Sequence, residues 1–343
     1  MFKKSDKKKL ILVLKSNLID LNVLIDELIK TKKIIIICGP TGIGKSKLGI
    51  EIASLFNTNL ISADSMQIYQ GMDIGTDKVN TAIYGIRQYM IDLFKPDHKL
   101  TVIEFRDIAI KIIIDQFFKK NRVPVIVGGS GLYVKAIIDD MDRGPGEDSR
   151  FREEMEKNID MFGLDKYYKR LCRIDKTYAS KISRNDKRRI IRALEVYDVS
   201  GIPYSRMQKS WKKETLFDVT FIGLKKERAA LYGDIEKRVD EMFASGLVEE
   251  VRGLLNGGYM DSFSLKQAVG YKEVVEHIKG EISLDECRSL VKQNSRRLAK
   301  KQMTWFGRDT RINWLPVDNY DNIFDLVIDT VKVIHREFKH GKN

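Results

Sequence analysis

The sequence predicts an α/β protein: a parallel sheet flanked by helices, with a helical unit inserted into it. Three observations carry that expectation. The continuous β-branched run Ile34–Cys38 leads into "GPTGIGKS" and then "KSKLGIEIASLF", a strand, glycine loop and helix in succession. Strand-like and helix-like stretches then alternate, as parallel strands joined by crossover helices do. At "MDRGPGEDSR" (141–150) glycine, proline and charge accumulate, and the chain to about residue 205 reads as helical and polar.

The elements follow in order. The first residues carry Lys3, Lys4, Lys7, Lys8 and Lys9 ahead of "LILVL", which superficially resembles a secretion signal. Lys15 and Asp20 break the apolar run, no small-residue cleavage site follows, and no span reaches the ~20 apolar residues of a membrane helix. Leu14, Leu18, Leu21, Leu24, Ile25 and Leu28 recur at helical spacing instead. They predict one amphipathic helix leading into the first strand, and residues 1–33 are read as an extension that braces the sheet, because the leucines need burial, with nucleic-acid contact as the alternative. Further strands are expected at 58–65, 122–134 and 220–228, and a helix over 102–120. Residues 235–255 show a helical apolar face interrupted by Gly246, and the rest reads as helix. The expected division is a core of 34–142 and 206–343 with an insertion over 143–205. Ligands of such sheets sit at the carboxyl ends of the strands, so Cys38–Ser46, Asp64–Gln67 and Gly128–Ser130 should converge.

Composition narrows the chemistry. A chain of 343 residues with 43% hydrophobic content exceeds the usual single core, so two units are expected. The formal charge of +13 favours a polyanionic partner. Three cysteines without a C-x-x-C pair indicate neither a disulfide framework nor a zinc site and fit a reducing cytoplasm; four scattered histidines read as surface or packing residues.

The strongest motif is Gly39–Pro40–Thr41–Gly42–Ile43–Gly44–Lys45–Ser46, a match to G-x-x-x-x-G-K-[ST]. Its backbone N–H groups and the following helix's positive end grip phosphate, Lys45 adds a charge, and Ser46 offers a hydroxyl to magnesium. The fold class is therefore α/β, P-loop NTPase-like. The motif specifies polyphosphate and no base. A nucleotide hydrolase would add a strand ending in a magnesium-holding Asp, but "VPVIVGGSG" ends in glycines and Ser130. Asp64 is the better placed carboxylate and Asp92 a second; on position alone Asp64 fits a magnesium ligand, a helix N-cap or a general base. Two basic clusters locate the charge: Lys181, Arg184, Lys187, Arg188, Arg189 and Arg192 against Asp186, and Lys292, Arg296, Arg297, Lys300 and Lys301 without an acid. Arginine density favours a nucleic-acid track over a solvated helix face. Trp305 and Phe306 are expected in the core.

Together "GPTGIGKS", "ISADSMQIYQGMDIGTDK", "VPVIVGGSGLYVKAI", "RRIIRALEVYDVSGIPYS", "RVDEMFASGLVEEV", "QAVGYKEV" and "KKQMTWFGRD" resemble the tRNA dimethylallyltransferase (tRNA isopentenyltransferase) family, in order across about 34–312. The resemblance implies transfer of a dimethylallyl group from dimethylallyl diphosphate to the N6 amine of adenosine 37, releasing diphosphate with Mg2+ present. The loop would then grip a leaving diphosphate and need no ATP. It implies Asp64 as the base and, with Ser130 and Lys45, the catalytic set; Ser130 stands where threonine is general. It implies tRNA contacts at Asp64, Ser65, Met66, Gln67, Ser130, Arg188, Arg189, Ile190, Ile191 and Arg192, with Arg150 the best match for a further arginine and Arg152 close beside it. The adenosine would be turned out of the anticodon loop into the pocket. Met66, Leu298 and Gly307 depart from the family's common arginine, tyrosine and arginine, which puts in doubt family roles at those positions. No C-terminal zinc finger of the eukaryotic kind is present, so the bacterial type is implied, as a cytoplasmic monomer. Adenylate isopentenyltransferase and an RNA-binding nucleotide hydrolase are the competing readings.

Overall fold

The computed structural model describes residues 2–139, 144–210 and 215–340, and the chain divides into two compact units, Met1–Ile138 with Phe217–Asn343, and Asp139–Leu216. The expected junction at 142–143 lies outside the described residues.

In the first unit six parallel strands stand in the order β3-β2-β4-β1-β5-β6: β1 Ile34–Cys38, β2 Leu60–Ser62, β3 Gln88–Tyr89, β4 Val125–Gly128, β5 Val219–Lys225 and β6 Ile312–Pro316. Every residue of β1 is buried because both faces are covered, which is why the strand is apolar throughout. Ile35 and Ile37 join Leu48, Ile52, Val331 and Ile334 on one face; Ile34, Ile36 and Cys38 join Phe105, Val239, Val291 and Phe306 on the other. Two strands escaped the sequence reading. β3 has two residues, too few for any alternation, and β6 ("INWLP") carries polar Asn313 and a terminal proline and was read as helix. The helix expected over 102–120 is α-helical from Val102 to Ile112, then widens into a π turn and a short 3-10 turn.

The extension is two helices, not one: Lys4–Ser16 and Leu21–Lys30. Leu18 adopts φ 59° and Asp20 caps the second helix by accepting from the N–H groups of Asn22 and Val23. The break turns Leu18 outward, 89% exposed, while Leu10, Leu14, Leu21, Leu24 and Leu28 enter the core. Each buried leucine stabilises by about 1.5–3 kcal/mol as an upper estimate, enough to dock the extension. Phe2 N–H donates to Glu51 at 3.1 Å and Lys7 bonds Ser54, so the extension braces the helix that follows the phosphate loop.

The second unit is helical throughout its described elements: Ser149–Phe162, Leu164–Ile174, Lys176–Ala179, Lys187–Ser200 and Tyr204–Ser210. Met155, Ile159, Tyr167, Leu171, Ile190, Ile191 and Leu194 form its core.

Candidate active site

Strand register builds the site. Cys38 pairs with Gly128 and Ser62 with Val127, so the segments leaving β1, β2 and β4 emerge side by side at one sheet edge. These segments are the phosphate loop, Asp64–Gln67 and Ser130, the convergence that the spacing predicts.

Gly44 closes the loop at φ +92°, a conformation that strains any side chain, and Lys45 opens the helix Lys45–Leu55. Lys45 Nζ donates to Pro40 O at 2.6 Å. Removal from water draws the Lys45 pKa down to about 8; Arg238 pushes the same way, while Asp64 opposes. A cation held this way gains from an arriving anion. Thr41 is fixed from two sides: its N–H donates to Gln302 Oε1 at 2.8 Å, and its hydroxyl accepts from Arg238. The Arg238 Nε–H is buried without a hydrogen-bond partner, though Asp77 Oδ2 lies 3.4 Å away. A guanidinium that lines the pocket beside a phosphate loop suits an incoming oxyanion.

On the acceptor side Asp64 Oδ1 accepts from Met66 N–H at 2.9 Å, a local turn that fixes the carboxylate. No helix begins there, which removes the N-cap alternative. Asp92 is bound to Lys78 and does not line the pocket. Ser130 Oγ accepts from Ser65 N–H at 3.2 Å, tying β4's end to β2's. Gln67 has its amide engaged at both ends, accepting from Ser62 Oγ at 2.7 Å and donating to Thr76 O at 3.0 Å.

Between the two sides lies a pocket with Thr41, Asp64, Thr76, Arg238 and Gln302 supplying polar atoms, and Ile235, Val239, Met242, Val291 and Leu298 supplying an apolar wall. Sequence reading missed Arg238 and Gln302. Arg238 did leave a signal: it shares its helix face with Ile235, Val239 and Met242, a cation on an otherwise apolar stripe. Among the described residues no group of three or more His, Cys, Asp or Glu is arranged to hold a metal, and no helix is long and apolar enough to cross a membrane.

The second unit holds the other expected residues. Arg150, Arg188 and Arg189 are exposed, whereas Ile190 and Ile191 are buried in its core, so their side chains cannot touch RNA. Their place inside "RRIIR" is explained by packing: they are the inward positions of a helix on which Arg188 and Arg189 point out. Arg192 is also turned to structure. It pairs with Glu195, a carboxylate without exposure, at 2.6 Å, and donates to Pro145 O and Gly146 O. Arg152 grips the same carboxylate at 2.7 Å, which leaves Arg150 as the exposed member of that pair. Arg192→Ala should therefore cost about 1–3 kcal/mol of stability, read as a lower urea midpoint, because Glu195 keeps only part of its compensation. In the second basic cluster, Lys292 and Arg296 pair with Asp240 and Glu236, and Arg297, Lys300 and Lys301 are exposed. Phe306 is core as expected, but Trp305 is 41% exposed and lies over Gly131.

Fold and site together define a P-loop-type α/β protein whose pocket sets a phosphate loop beside a carboxylate and an apolar wall. The IPP transferase family model matches residues 67–309. The tRNA dimethylallyltransferase of Thermoanaerobacter sp. (strain X514) is 44% identical over 307 residues, 88% of this chain and 97% of that protein. The crystal structure of the full-length tRNA isopentenylpyrophosphate transferase from Bacillus halodurans superposes with a TM-score of 0.67 at 34% identity, covering 91% of this chain and all of that one. A eukaryotic dimethylallyltransferase captured acting on tRNA gives a TM-score of 0.69 at 26% identity, covering 83% and 73%. The chain belongs to the IPP transferase family.

Proposed function

We propose that the protein transfers the dimethylallyl group of dimethylallyl diphosphate to the N6 amine of adenosine 37 in tRNA. The observation that carries this reading is Asp64 lining one pocket with the phosphate-loop residue Thr41 and an apolar wall against which a short prenyl chain can pack. The bond between the prenyl carbon and the diphosphate oxygen breaks as the bond to N6 forms, and the amine's proton passes to Asp64. Lys45, Arg238 and the loop N–H groups stabilise charge on the leaving diphosphate. Ser130, bonded to Ser65, is set to hold a hydrogen bond near the reacting amine. Anticodon-loop contact through Ser65, Met66, Gln67, Arg150, Arg188 and Arg189, and a cytoplasmic monomer, belong to the same reading.

Ser46 in the first helical turn offers a hydroxyl that suits Mg2+, which takes few protein ligands and prefers phosphate and water oxygens. Bound there it would neutralise diphosphate charge.

The test is mass analysis of an anticodon stem–loop after incubation with the donor and Mg2+, beside AMP as acceptor. A prenyl increment on the stem–loop adenosine is expected. Preference for AMP, or RNA-stimulated phosphate release from ATP without diphosphate release from the donor, would overturn the reading. Removing Arg188 and Arg189 together should weaken RNA binding and flatten its log–log salt dependence by about 1.5, since each phosphate contact contributes roughly 0.7–0.9.

A further inference from the structure

One carboxylate outside the phosphate loop and the Asp64 segment pins the turn on which the acceptor side rests. Glu250, on the helix Leu247–Asn256, accepts three consecutive backbone N–H groups of the "MDIGT" turn: Asp73 at 3.0 Å and Ile74 at 2.8 Å on Oε2, and Gly75 at 3.4 Å on Oε1. Tyr271 OH donates to the same Oε1 at 2.6 Å, and the ring, fully buried, presses so closely on Gly75 that a Cβ there would sit 2.4 Å from it. The turn so pinned reaches the acceptor side through Thr76 O and Asp77 O, which receive the Gln67 amide. Toward the donor side it offers the Asp77 carboxylate, 3.4 Å from Arg238 Nε without a hydrogen bond, while Arg238 keeps its own bond to Thr41.

We infer that Glu250, oriented by Tyr271, is a positioning residue that sets the Met72–Asp77 turn and through it the acceptor-reading Gln67. The inference rests on the reading of this pocket as the place where an RNA adenosine is accepted. Neither Glu250 nor Gln67 lines the pocket, whereas Gly75 and Thr76 of the pinned turn do, so the effect of Glu250 passes through the turn that receives the Gln67 amide and not through contact with the donor. Three charge-assisted bonds to successive amides hold a turn in one conformation more firmly than neutral contacts would. Their loss loosens Gln67 while the phosphate loop keeps its own glycine geometry and Lys45.

The experiment measures kcat and KM for an anticodon stem–loop at saturating donor, and the Kd of inorganic diphosphate, for the wild type, Glu250→Ala, Glu250→Gln, Gln67→Ala and the double alanine variant. Glu250→Ala should lower kcat/KM for the RNA roughly 30-fold or more and leave diphosphate affinity within about threefold. Glu250→Gln, which keeps a carbonyl oxygen for Asp73 and Ile74, should restore activity to within about fivefold of wild type. The double variant should fall no more than about threefold below the worse single one, because both changes cut one path. Multiplicative losses in the double variant, an Ala variant within threefold of wild type, or equal losses of RNA turnover and diphosphate binding would overturn the inference. Wild-type protein that modifies no stem–loop would instead bring down the underlying reading and this inference with it. If Glu250→Ala does not fold, Tyr271→Phe, which removes one bond to the same carboxylate, runs the same cycle with Gln67→Ala.

Discussion

Asp64→Asn is expected to lower prenyl transfer by about 10²–10⁴-fold while RNA affinity stays within a few fold. The asparagine oxygen can still accept from Met66 N–H, so the turn that fixes position 64 survives while the proton acceptor is lost. Among the described residues the other carboxylate oxygen has no hydrogen-bond partner, which leaves it available to the pocket. Single-turnover rates with saturating donor isolate this step from product release, and binding to labelled stem–loop reports affinity separately. The assay belongs well below pH 8, because removing the Asp64 charge also removes a support for the Lys45 ammonium. Asn variants within tenfold of wild-type turnover would show that the proton leaves by another route.

How far this site was legible depended on sequence distance. "GPTGIGKS" is readable because turn, cation and helix start fall within eight residues, and each has one physical reason to be there. Asp64 and Ser130 were readable as strand-end polar residues, since a parallel sheet gathers such ends. Glu250 was not: the Gly75 amide it accepts is 175 residues away, and nothing near either position encodes the contact. Arg238 was half-visible as a cation on an apolar stripe, but its bond to Thr41 spans 197 residues. The break at Leu18 was hidden because leucine spacing continues through it, and only the positive φ and the Asp20 cap reveal two helices. In "RRIIR" the family resemblance grouped five positions as one RNA contact, whereas burial separates them: Arg188 and Arg189 outward, Ile190 and Ile191 inward, and Arg192 committed to Glu195.

Lys45→Met should abolish useful turnover and yet make the ligand-free protein more stable. In the folded chain Lys45 has a pKa of about 8 against an ordinary 10.5, so below pH 8 the fold carries its positive charge at a cost. The sign follows from proton counting. Between pH 8 and 10.5 the unfolded chain binds the proton that the folded one has released, so stability rises with pH there; at pH 7 both forms are charged and the full cost remains. Methionine keeps the apolar stem and drops the charge. The gain should be roughly 1–3 kcal/mol at pH 7, because partial solvent access screens the charge and the bond to Pro40 is lost. It should shrink toward zero as pH approaches 10.5, measured by denaturant unfolding of the two proteins side by side. Inorganic diphosphate reverses the order: it should stabilise the wild type by binding the folded form and do far less for the variant. Wild-type diphosphate affinity should fall as pH rises through about 8 relative to Lys45→Met, a ratio in which the ligand's own titration cancels. A variant less stable than wild type at pH 7, or a flat affinity ratio across pH 8, would mean that Lys45 is not held in the strained, anion-ready state from which the phosphate loop draws its grip.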